Sequence, residues 1–339
     1  MKNPSKLALV AMATLSCAGV APAQSINAAG ATFPEIIYKK WFNEYQKLHP
    51  GVEINYQAIG SGGGVRQVVE GTLDFGASDR PMTDEEIAKC KSKPLHFPTV
   101  LGGDVPAYNF PGVTQKLKLS SEAMAGIFLL KITKWNDPKI AATNKGLKLP
   151  AEDIQVVHRS DGSGTTFIWT DYLSKISPAW KAGPGTSQSP KWPGGLGQSG
   201  NDGVTGTIKQ TPYSIGYVEL GFALQNKTLQ YAMLQNADGQ FVDATTDTIS
   251  AAAAGAVKSM PADFRVSIAN APGKNSFPAS SFTWLLIPSK IDDTKKRDAI
   301  VNFLKWMLTD GQKDAPALGY APLPKEVIAM EQKQIALIK

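Results

Sequence analysis

The chain has 339 residues, 42% of them hydrophobic, with a formal charge of +6 at neutral pH and two cysteines. That length exceeds one typical domain and suffices for two, each with its own core. Two cysteines exclude a disulfide-stapled scaffold. Basic residues scattered outside the runs Lys39–Lys40 and Lys295–Arg297 argue against the concentrated basic face of a nucleic-acid binder.

In chain order, Lys2 and Lys6 precede an apolar run, Leu7–Val20, and Ala21-Pro22-Ala23 fits a small-x-small cleavage pattern. Residues 1–23 therefore read as a secretory signal cut after Ala23. The run is shorter than the roughly 20 residues a membrane span needs. Cys17 raises a lipid-anchored alternative, but Thr14-Leu15-Ser16 is a poor context for it. Removal of the segment leaves 316 residues and lowers the charge to +4, because it carries Lys2 and Lys6 and no acid. Cys90 is then the remaining thiol, expected on a helix with no special chemistry, so stability must come from core burial. No later segment is long and apolar enough to span a bilayer, and the mature protein is expected to be soluble.

Helical spacing of Ile37, Trp41, Tyr45 and Leu48 predicts a helix over 34–49, with Pro34 in its first turn. A strand is expected over 52–59, helical spacing through GGGVRQVVEG, and a strand over 72–79. Thr83 with Glu86 three residues later is a capping-box pattern. Residues 95–110 read as extended, 120–130 as helix and 153–159 as strand. The stretch 191–203 is too rich in glycine for a regular element. A helix (DGVTGTIKQ) and a strand (SIGYVEL) follow, then a helix over 247–260 and a buried strand over 281–290. Helices over 294–308 and about 325–338 close the chain. This alternation implies an α/β fold with mainly parallel strands. No flexible linker separates two halves, so strands within 95–110 and 281–290 are the candidates to cross between them. The tryptophans and methionines read as core or domain-interface packing.

Three segments share one design, a strand ending in small residues that start a helix or sharp turn: AAGATFPEII (28–37), IGSGGGVRQ (59–67) and RSDGSGTTF (159–167). A helix start presents unpaired N–H groups and a partial positive charge, which attract anions. Each motif alone is weak, but ligands of open α/β sheets bind at the carboxyl ends of strands. Arg159 can donate two hydrogen bonds to an oxyanion, or pair with Asp161, or do both. Asp79, beside Ser78, ends the strand LDFGASD. A carboxylate among donors repels an anion unless the anion carries a proton, for which the carboxylate is then an acceptor. That separates phosphate, which keeps a proton near neutral pH, from sulfate, which keeps none.

Enzyme patterns are weaker. Ser163 lacks the glycine two residues earlier that a nucleophile elbow needs. No phosphate-loop, H-E-x-x-H or G-x-G-x-x-G motif occurs. His49 and His96 lack metal-ligand spacing, and His158 reads as a strand neighbour rather than an acid–base catalyst.

GATFP, IGSGGGVRQ, DFGASD, RSDGSGTTF, KWP…GNDG and IGYVE together resemble, in matching order, the periplasmic phosphate-binding protein of bacterial phosphate-specific ABC transporters. The resemblance runs from about residue 27 to the last helices. It implies a type II periplasmic-binding-protein fold, an α/β fold with two lobes joined by two crossover strands and closing around one ligand. Lobe I would comprise 24–109 plus 283–339, and lobe II 110–282. Phosphate would be held by hydrogen bonds from Thr32 and Phe33 (main-chain N–H, plus the threonine hydroxyl), Ser61, Arg159, Ser163, Gly164 and Thr165. Asp79 would accept the phosphate proton and Asp161 would orient Arg159. The implied protein is a periplasmic, monomeric, non-enzymatic receptor without catalytic residues, cofactor or metal, delivering inorganic phosphate to membrane permease subunits and binding no nucleic acid. Gly62, Ser199 and Asp104 depart from the family pattern, the last in a stretch usually apolar. Two rivals stay open: a binder of another tetrahedral oxyanion, and a periplasmic phosphoesterase using Ser163 or Thr165.

Overall fold

The computed structural model describes residues 24–113, 115–226 and 228–339. The expected signal segment and Cys17 lie outside the described residues. The chain begins β1 (Gln24–Gly30), α1 (Glu35–Leu48), β2 (Val52–Ala58), α2 (Ser61–Glu70), β3 (Phe75–Ser78) and α3 (Asp84–Ala88). The long β4 (Pro94–Tyr108) leads to β5 (Lys118–Leu119), α4 (Ser121–Phe128), α5 (Pro138–Ala141), β6 (Gln155–Arg159), α6 (Gly164–Ile176) and α7 (Pro178–Ala182). Then come β7 (Leu196–Gln198), α8 (Gly200–Gln210), β8 (Ser214–Glu219), α9 (Leu220–Gln225), β9 (Gln230–Tyr231), β10 (Met233–Gln235), β11 (Phe241–Val242) and α10 (Thr246–Val257). β12 (Ser280–Pro288), α11 (Thr294–Met307) and α12 (Lys325–Ile335) complete the fold.

Two lobes share one curled sheet. Among the described residues its order is β2-β1-β3-β12-β4-β8-β6-β7, with β9 added on β4. Neighbours are parallel in β2-β1-β3 and in β8-β6-β7, as expected for strands joined through helices. The strands between them run antiparallel: β12 pairs with β3 and with β4 from Pro94 to Gly103. From Asp104 to Tyr108, β4 leaves β12 and pairs with β8. One strand thus carries the chain from one half of the sheet into the other. A side sheet, β11-β10-β5, flanks the second half.

The local causes are readable. The side chains of Thr83, Ser120, Ser163 and Asp293 each accept a hydrogen bond from the first turn of the helix they precede, and the Thr83–Glu86 capping box is complete. α1 buries Ile37, Tyr38, Trp41, Phe42 and Tyr45, most of the apolar face its spacing predicts, but Leu48 in its last turn is exposed rather than buried. Tyr38 and Phe42 pack on Tyr56, and Phe42 reaches Phe303 of α11. In the second half Trp169 stacks on Tyr217, which stacks on Trp192. Among the described residues no helix is long and apolar enough to cross a membrane.

The structure departs from the sequence reading in the glycine-rich stretch 191–203. Leu196–Gln198 forms β7, paired in parallel with β6, and α8 already begins at Gly200. The glycines permit this rather than prevent it. Gly195 has φ +110, and a Cβ there would lie 2.7 Å from the Val156 carbonyl oxygen, so only glycine lets the chain come this close to β6. The strand expected from Thr72 starts only at Phe75. Cys90 lies just beyond α3, and its thiol donates to the Glu86 carbonyl at 3.3 Å.

Candidate functional site

The three small-residue turns converge where the two halves of the sheet meet. Thr32 and Phe33 lie between β1 and α1, Ser61 opens α2, and Ser160–Ser163 join β6 to α6. Each turn sets a helix start at the end of a strand, with N–H groups that have no intrahelical acceptor. At α6, the Ser163 hydroxyl oxygen accepts from Thr166 N at 3.0 Å, and Ser163 N donates to the Gln188 carbonyl at 3.0 Å. The Ser163 hydroxyl hydrogen and the N–H groups of Gly164 and Thr165 remain as donors at the helix mouth.

Arg159 is buried at the end of β6. Its Nε donates to Asp161 Oδ1 at 2.7 Å and its Nη2 to Asp161 Oδ2, so the pair is bidentate. Burial would raise the Asp161 carboxyl, but the hydrogen bonds and charge of Arg159 win and hold it below the usual carboxylate range. Gly200 N adds a bond to Asp161 Oδ1 at 3.2 Å. The guanidinium is therefore fixed in plane, and its Nη1 faces Thr32 Oγ1 at 3.1 Å and Thr165 Oγ1 at 3.4 Å.

Asp79 closes the site from the end of β3 and is buried. Thr283 of β12 donates to its Oδ1 at 2.8 Å and the Ser61 hydroxyl to its Oδ2 at 3.2 Å. Burial pushes the Asp79 carboxyl up to about 7, against the lowering effect of Thr283, Ser61 and Arg159. The Ser61 hydroxyl is thus committed to Asp79, and its N–H in the first turn of α2 is the donor left for a ligand. Gly164 packs against the same two residues: a Cβ there would collide with Ser61 Oγ and Asp79 Oδ2. The two lobes touch again where Gly62 N donates to the Gly162 carbonyl at 2.8 Å and Arg80 Nε to Gln188 Oε1 at 2.9 Å.

The structure brings together Thr32, Phe33, Ser61, Asp79, Arg159, Ser163, Gly164 and Thr165, with Asp161 behind Arg159. It adds residues to which the sequence reading gave no role. Thr283 braces Asp79, Gln188 bridges Ser163 to Arg80, and Asn201 donates to both Thr32 and Thr165. Only Asn201 had a signal, in the GNDG motif. Asp104, flagged as a departure, lies directly opposite Glu219 in the β4–β8 ladder. Both are fully buried, and neither Asp104 oxygen has a hydrogen-bond partner among the described residues. Burial first, then the charges of Asp79 and Glu219, raises the Asp104 carboxyl well above its ordinary value, and burial does the same for Glu219.

The histidines are placed elsewhere. His158 Nδ1 pairs with the Arg159 carbonyl at 2.9 Å and its ring stacks on Trp192. His96 accepts from Met82 N at 3.0 Å, and burial lowers it to about 4. His49 lies at the end of α1 against Tyr45. Chemically, the site is a ring of donors around one titratable acceptor, which suits an acceptor-rich anion carrying a proton.

Residues 17–311 match the model of a PBP superfamily domain. The phosphate-binding protein PstS of Pasteurella multocida is 47% identical over 313 residues, covering 92% of this chain and 90% of that protein. PstS of Xylella fastidiosa is 44% identical over 304 residues, covering 89% and 82%. The fold also matches a high-affinity periplasmic phosphate-binding protein (PfluDING) solved with phosphate at pH 8.5, at TM-score 0.75 and 20% identity, covering 91% of this chain and 93% of that one. The chain belongs to the PstS family of phosphate-binding proteins, within the PBP superfamily.

Proposed function

We propose that this protein is a periplasmic receptor that captures inorganic phosphate between its lobes and delivers it to an ABC-type permease. The observation that carries the reading is the donor ring with a single acceptor, Asp79, titrating near neutrality. Arg159, Thr32, Thr165 and Ser163, with the N–H groups of Phe33, Ser61, Gly164 and Thr165, donate to phosphate oxygens. Asp79 takes the hydrogen of the protonated oxygen. Sulfate carries no such hydrogen and meets Asp79 as a charge. The names of the PstS relatives support the ligand.

The site is completed by both lobes, so binding favours their closure through contacts the open state lacks. We place lobe I at 24–109 plus 283–339 and lobe II at 110–282. The supporting feature is the change of β4 partners between Gly103 and Asp104. The protein acts as a monomer and without catalysis. Ser163 caps a helix, and His158 is engaged with the Arg159 carbonyl and Trp192. The test is calorimetry of the ligand-stripped mature protein with phosphate, arsenate and sulfate. Tight phosphate binding with sulfate at least about 100-fold weaker is expected; a preference for sulfate defeats the assignment.

A further inference from the structure

Asn201 occupies the first turn of α8 with its side chain fully buried. The backbone N–H of Glu219, which can only donate, lies 3.1 Å from Asn201 Oδ1. That contact fixes the amide, with its carbonyl toward β8 and its NH2 toward the cleft. Nδ2 then donates to Thr32 Oγ1 at 2.9 Å and to Thr165 Oγ1 at 3.1 Å. Arg159 Nη1 donates to the same two oxygens. Each hydroxyl oxygen thus accepts two hydrogen bonds, its full lone-pair capacity, and its own hydrogen is left to donate.

We infer that Asn201 is a positioning residue that sets the polarity of both threonine hydroxyls, making each an obligate donor to the bound oxyanion. It also ties the lobes together, since Thr32 and Thr165 come from opposite sides of the cleft. The inference rests on the phosphate reading above. Arg159 alone does not secure this polarity, because its N–H groups are also wanted by the ligand. Asn201 keeps each hydroxyl oxygen engaged where an Arg159 Nη1 hydrogen is shared with the anion. A hydroxyl rotated the other way would present lone pairs to an oxyanion and repel it.

The reversing substitution is Asn201→Asp. An ionised carboxylate at this position accepts from both hydroxyls and turns their hydrogens away from the cleft. Phosphate binding, measured by calorimetry at pH 8.5, should fall at least about 100-fold below wild type, the loss of two charge-assisted bonds. Protonation of the introduced carboxyl restores a donor, so the variant-to-wild-type ratio should narrow at least about tenfold by pH 5.5. The ionisable groups around this position, Arg159, Asp161, Glu219, Asp104, Asp79 and Asp202, are the same in both proteins, which is why the ratio is the readout. Asn201→Ala, which removes the amide without adding charge, should weaken binding about tenfold at every pH and covers the case in which Asn201→Asp does not fold. A ratio for Asn201→Asp that stays flat from pH 5.5 to 8.5, or wild-type affinity in Asn201→Ala, overturns the inference alone. A wild-type protein that does not bind phosphate overturns the functional reading and this inference with it.

Discussion

Replacing Asp79 by asparagine would separate the two roles proposed for its carboxylate, accepting the ligand's hydrogen and repelling charge. Asp79 is 1% exposed, with Oδ1 held by Thr283 at 2.8 Å and Oδ2 by Ser61 at 3.2 Å. Asparagine keeps the size and one carbonyl oxygen for Thr283, but places an NH2 donor where Oδ2 accepts. The protonated phosphate oxygen then faces a donor, and a buried donor left unpaired costs about 1–3 kcal/mol, or roughly 5- to 150-fold in affinity. The same change removes a buried negative charge. Two unit charges about 5 Å apart repel by about 3 kcal/mol at an effective dielectric of 20. Partial neutralisation of Asp79 reduces that figure, because its carboxyl titrates at about 7. Sulfate should therefore tighten by at least about tenfold and the phosphate-to-sulfate preference should fall at least about 50-fold. Calorimetry of the ligand-stripped variant with both anions at pH 8 reads this directly. A preference within threefold of wild type would refute the proton-acceptor argument.

Other consequences follow from the same contacts. Arg159→Lys keeps the charge but loses the bidentate bond to Asp161, so phosphate affinity should drop at least about 100-fold by calorimetry; a loss under threefold would show that the planar fork is not what binds. Gly164→Ala drives a methyl group into Ser61 and Asp79, so small-angle scattering with saturating phosphate should show a more open particle than wild type. An unchanged radius would mean that the lobes do not close at this contact. Asp104→Asn tests the buried acids. Because burial raises its carboxyl, the folded state holds that proton more tightly than the unfolded chain does. Wild-type stability therefore falls as pH rises from the ordinary carboxylate range towards the raised value. Melting scans should show Asp104→Asn gaining at least about 2 °C over wild type at pH 8.5 relative to pH 4.5; an equal difference at both pH values would contradict the assignment of Asp104 as a strongly raised acid.

Much of this architecture is written locally. The helices over 35–48 and 294–307 follow from apolar spacing, and Thr83 with Glu86 announces a cap that the structure completes. The three small-residue turns were legible because a helix start needs small, donor-rich residues wherever it meets an anion. The braces were not legible, since they depend on contacts made only after folding. Thr283 meets Asp79 across 204 residues of chain, and Asn201 meets Thr32 across 169. No local pattern encodes such meetings. The stretch 191–203 misled for a related reason: glycine lowers helix and strand propensity, yet here it lets β7 approach β6, and tertiary pairing overrides composition. Asp104 stood out as a departure from the family pattern, but its partner in the ladder, Glu219, emerged only from the register of β4 on β8.

The most direct measurement is a crystal structure of the mature protein grown with phosphate. One phosphate is expected at the mouth of α6, bonded by Arg159, Thr32, Ser163 and Thr165, with one oxygen within about 2.7 Å of an Asp79 carboxylate oxygen. Phosphate bound elsewhere, or bound here with Asp79 turned away from it, would contradict the claim that this carboxylate reads the ligand's proton.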